Sequence, residues 1–141
     1  MRTLYYLDKY AQIIVNQEAQ QLNQMLNEIK TMASVTECIN SAEWRFTHYG
    51  SKACGGPVGY IAYSVNIDTT LFLNKVKAHI NAEDTYNKKW GIASDCSLPA
   101  QPTGIKCENG NPVFEYEYHF YQVSFILVHH LPYYHYYNYQ Y

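Results

Sequence analysis

The 141-residue chain has few charges, and none of one sign in excess: ten Lys and Arg stand against twelve Asp and Glu, for a net charge of −2. That balance excludes the overall basic field that draws proteins to phosphate backbones or anionic lipid, so nucleic acid is not an expected partner. No apolar run approaches the ~18–20 residues needed to cross a bilayer, which predicts no transmembrane segment. There is no Cys-x-x-Cys pair, which argues against a thioredoxin-type redox site or a zinc ribbon, since both need closely spaced thiols. No phosphate loop and no nucleophile elbow occurs either. At the amino end, residues 1–7 are interrupted by Asp8 and Lys9, and Ile13-Ile14-Val15 is short, so no export signal is read there.

What the chain does have is four widely spaced cysteines, Cys38, Cys54, Cys96 and Cys107, and sixteen tyrosines. An even number of isolated cysteines in a chain of one-domain length reads as two disulfides, and therefore as an extracytoplasmic protein. The plainer alternative is four reduced cysteines packed as small hydrophobes. Nine tyrosines and four of the six histidines fall after Phe114, and no Lys or Arg follows Lys106. The shift divides the chain into a helical extension at 1–17, a disulfide-stabilised domain at 18–117, and an aromatic, low-complexity tail at 118–141 that reads as an addition to the core.

Hydrophobic periodicity gives the elements. Leu22, Met25, Leu26, Ile29 and Met32 recur at spacings of three and four, which predicts a helix from about Leu4 to Met32 with one apolar face. Trp44, Phe46 and His48 alternate with Arg45, Thr47 and Tyr49 in a half-buried strand, and 58–65 reads as its antiparallel partner. Asp68 and Gly91 bracket a second helix as amino-terminal cap and left-handed terminator, with Phe72, Val76, Ile80, Tyr86 and Trp90 as its expected buried stripe. Asn109-Gly110 between two short runs predicts a tight hairpin. The order helix, strand, strand, helix, strand, strand implies an α+β fold, two helices covering a small antiparallel sheet.

Together, the four cysteines, Ala53-Cys54-Gly55-Gly56-Pro57, Ser94-Asp95-Cys96 and Cys107-Glu108-Asn109-Gly110 give the stretch from Glu18 to Tyr116 a likeness. It resembles a family of small secreted or lipoprotein domains of Bacteroidetes-like bacteria. The resemblance implies an extracytoplasmic setting and carries over no activity or catalytic residue.

Of the three possible cysteine pairings, Cys54 with Cys96 and Cys38 with Cys107 are favoured. The first would tie the glycine loop to the segment after the second helix, and the second would tie the end of the first helix to the terminal hairpin. Gly55, Gly56, Pro57 and Asp95 are the candidate binding loop, for glycines permit close backbone approach and a disulfide limits the ordering cost. The plainer reading is a tight turn beside a disulfide.

Three functions are weighed. The leading one is a non-enzymatic domain binding a protein, a peptide or an envelope component. The others are a protease inhibitor that inserts the constrained loop into a cleft, and a small hydrolase using Ser64, Ser94 or Asp95. No catalytic residue, metal site or cofactor is assigned. His119, His129, His130 and His135 fit no defined metal spacing. His48 and His79 are expected at the surface or as satisfied structural groups. Tyr60, Tyr63, Tyr86 and Trp90 suit either a ligand groove or core packing.

Overall fold

A computed structural model describes residues 2–117. The tail read at 118–141, with its four histidines, lies outside them. The elements are α1 (Arg2–Ala33), a 3-10 turn (Ser41–Glu43), β1 (Trp44–Tyr49), β2 (Gly59–Ser64), α2 (Thr69–Trp90), β3 (Gly104–Glu108) and β4 (Asn111–Glu115). This is the expected α+β order, but the strands form two separate two-stranded ribbons, β1-β2 and β3-β4, where one small sheet was expected.

Local chemistry accounts for the boundaries. The Asp68 carboxylate accepts from Leu71 N at 2.9 Å, meeting one of the amide groups that the first turn of α2 leaves unbonded. Gly91 ends the helix in the left-handed region at φ 61°. In the second ribbon, Asn109 and Gly110 take φ of 50° and 77°, the positive pair a two-residue hairpin turn requires.

The first ribbon lies between the two helices and the second ribbon. Its register, Arg45↔Tyr63 and Thr47↔Ile61, puts Ile61, Tyr63 and Tyr49 on one face, and these pack on the core of Ile29, Ala33, Phe72 and Val76. Phe46 and Tyr60 belong to the opposite face and meet edge-on at 6.1 Å. Phe114 of β4 closes over Phe46 at 6.0 Å. Both faces of β1 are therefore in use, because a second layer covers the side away from the helices.

The stripe of α2 needs a correction. Phe72 and Val76 are buried and Ile80 is half-buried, but Tyr86 and Trp90 are only half-buried, and His79 takes a fully interior place. Trp90 donates its indole N–H to Glu18 at 2.7 Å and so ties the end of α2 to α1. His79 is not at the surface, and no partner satisfies it among the described residues: it is 2% exposed and its Nδ1 accepts or donates no hydrogen bond there. An interior polar atom without a partner costs ~1–3 kcal/mol, whereas an apolar group of similar size costs nothing of that kind. His79→Leu is therefore expected to raise stability by about 1 kcal/mol, read as a higher urea midpoint at constant slope.

Both disulfides form in the favoured pairing, Cys38 with Cys107 and Cys54 with Cys96, across sequence separations of 69 and 42. The first is reinforced by main chain, as Cys38 N donates to the Gly110 carbonyl at 2.8 Å. No helix among the described residues is long and apolar enough to cross a membrane.

Candidate binding loop at the Cys54–Cys96 disulfide

Nine residues, 50–58, join β1 to β2, and a loop of that length would ordinarily sample many conformations. Here its backbone is closed on itself. Gly55 N donates to the Lys52 carbonyl at 2.8 Å, and Lys52 N donates to the Gly56 carbonyl at 3.0 Å. Gly56 holds φ 85°, a left-handed conformation that favours glycine, while the one atom a Cβ there would crowd, Leu98 Cδ2, is the end of an exposed side chain free to move.

Three further anchors come from distant parts of the chain. The disulfide joins Cys54 to Cys96. Lys52 reaches the same segment: its ammonium donates to Asp95 Oδ1 at 2.6 Å and to the Ser97 carbonyl at 2.5 Å. Its side chain is only 14% exposed, and Ser97 Oγ completes the cluster by donating to Asp95 Oδ2 at 2.9 Å. Ala53 N meanwhile donates to Ser94 Oγ at 3.1 Å. The third anchor is α2, where Glu83 Oε2 accepts from Ser51 N and Asn87 Nδ2 donates to the Ser51 carbonyl, both at 2.7 Å.

The Lys52 ammonium and the Ser97 hydroxyl hold the Asp95 carboxyl below its ordinary range. The link they form is thus kept at neutral and mildly acid pH, and is lost only as the pH falls through that lowered value. What remains outward is small and uncharged at its centre: Gly55 and Gly56 are exposed, Pro57 is half-buried, and Leu98 beside them is 67% exposed.

The structure brings together all four residues of the predicted loop; Asp95 is 74% exposed, with its carboxylate bonded to Lys52 and Ser97. Sequence reasoning missed Lys52, Glu83, Asn87 and Ser97. Glu83 and Asn87 did leave a signal, since they continue the buried stripe of Phe72, Val76 and His79 at helical spacing, and a polar group on a buried stripe must have a partner.

The serines considered for hydrolysis are engaged in structure. Ser64 is fully enclosed and its Oγ accepts from Asn66 N at 3.1 Å, while Ser94 holds Ala53. The four aromatic groove candidates are dispersed: Tyr63 stacks on Phe72 at 4.8 Å in the core, Tyr60 meets Phe46 in the second layer, and Tyr86 and Trp90 lie along α2. Among the described residues, no cluster of three His, Cys, Asp or Glu side chains suits a metal ion. Comparison of the chain with protein-family models, with curated proteins and with solved structures finds no match.

Proposed function

We propose that the protein is an extracytoplasmic, non-enzymatic binding domain that presents the 54–57 loop, with Leu98 beside it, to a protein, peptide or envelope component. The carrying observation is the number of independent anchors on one short loop. A disulfide, an enclosed lysine and two side chains of α2 all fix a segment whose outer residues touch little of the protein itself. Fixing a loop in advance removes part of the ordering cost of association, the usual gain from preorganisation. The resemblance to secreted and lipoprotein domains, and two disulfides that need an oxidising compartment, support the location.

The inhibitor reading is weaker on geometry. Gly55 and Gly56 sit at φ 89° and 85° in a closed turn, so the loop does not offer a protease an extended strand. The hydrolase reading has Ser64 enclosed and Ser94 already bonded to the loop it supports.

A photo-cross-linking residue placed at Leu98, with a second at the exposed Lys77 of α2 as control, tests the proposal in the producing cell. A discrete adduct from position 98 and none from position 77 is the expected result. Equal labelling from both sites, or none from position 98, would count against the loop as the binding surface.

A further inference from the structure

A different surface is left unfinished by the fold, namely the outer edge of β2. Val65 N donates to the Glu43 carbonyl at 2.8 Å, and the register runs unbroken from Trp44↔Ser64 to Tyr49↔Gly59. In an antiparallel pair the direction of the main-chain groups alternates, so residues 61, 63 and 65 face β1 while Tyr60 and Ala62 turn N–H and C=O the other way. Among the described residues their ribbon has no third strand and these four groups have no main-chain partner.

The edge does not face open solvent. It forms one wall of a cleft of about 660 Å³, within the span typical of ligand sites. The end of α1 and residues 34–37 make a second wall, and Pro112 and Phe114 of β4 stand opposite. β4 is a poor template by comparison. Its closing pair across the tight turn is Glu108↔Asn111, which leaves Pro112 directed outward, and proline has no N–H to offer. One wall therefore carries a complete set of strand-pairing groups and the other a blunted edge with an aromatic ring.

We propose that this cleft takes an extended peptide segment of a partner, which adds to β2 as a third strand through the main-chain groups of Tyr60 and Ala62. The general mode is strand addition, in which main-chain hydrogen bonds give affinity and alternate side chains enter flanking pockets. Lys30 and Glu37 are the charged residues of the lining and have opposite signs, so the cleft favours a segment that is uncharged at its centre. This site is separate from the 54–57 loop and stands or falls independently of it.

The test uses the full oxidised chain and a synthetic hexapeptide, acetyl-(Thr-Val)3-amide, as probe. Amide exchange at Tyr60 and Ala62 is expected to be fast in the free protein and at least tenfold slower at saturating peptide. The same peptide N-methylated at alternate residues, on the edge that must donate, should give no slowing. Ala62→Pro removes an outward N–H without touching the β1 ladder and should also abolish the effect; should that variant fold poorly, the methylated peptide makes the same comparison on the unaltered protein. Four results would overturn the inference: protection at Tyr60 and Ala62 without peptide, protection that rises with protein concentration as a second copy pairs there, no change at millimolar peptide, or equal slowing by the methylated form.

Discussion

Replacing Cys38 and Cys107 together by serine should lower the unfolding free energy by about 4 kcal/mol, the chain-entropy value for a disulfide closing so long a loop. Whole domains are commonly stable by only ~5–15 kcal/mol. The loss is expected to be large because of what the disulfide holds. A two-stranded ribbon is marginal alone in water. The β3-β4 ribbon is joined to the rest by the disulfide, the Cys38–Gly110 hydrogen bond and the packing of Phe114 on Phe46. At ~4–8 °C per kcal/mol for a domain near this size, thermal unfolding followed by circular dichroism should move down by roughly 15–30 °C. A shift of less than ~5 °C would mean that the ribbon is held by its packing and that the disulfide is incidental.

Phe72→Ala is the second large effect, an expected loss of ~3–5 kcal/mol from removing a buried aromatic ring and leaving part of its space empty. Phe72 has no exposed surface and sits where Ile29 and Ala33 of α1, Val76 of its own helix and Tyr63 of β2 converge. Few other buried apolar side chains accompany it, so the interior has little with which to fill the gap. Denaturant titration should show a lower midpoint with an unchanged slope. A loss under ~1.5 kcal/mol would place the ring outside the core.

Much of this fold was legible where the signal is local. Asp68 and Gly91 marked both ends of α2, and Asn109-Gly110 marked the second hairpin, because caps and tight turns are chosen by the residues that occupy them. The disulfide pairing was favoured among three possibilities rather than derived, and it is the one that forms. The orientation of β1 was not legible. Alternation separates Trp44, Phe46 and His48 from Arg45, Thr47 and Tyr49, but it does not say which set meets the helices when a second layer covers the other side. The stripe on α2 was misjudged beyond Ile80 for a related reason: there the helix turns polar side chains, Glu83 and Asn87, to the main chain of Ser51, 32 and 36 residues away. Lys52 was missed likewise, since its partners Asp95 and Ser97 lie 43 and 45 residues on and nothing near it in sequence announces them.

Two disulfides are consistent with an oxidising compartment. The state of the thiols in the cell that makes the protein tests that setting. Lys or Arg residues separate every neighbouring pair of cysteines, so trypsin releases the four in different peptides. Protein recovered from its producing cell, alkylated at once and mapped without reduction, should yield two linked pairs, Cys38 with Cys107 and Cys54 with Cys96, and no alkylated cysteine. Four alkylated cysteines, or Cys38 joined to Cys54, would contradict the stapled extracytoplasmic domain proposed here.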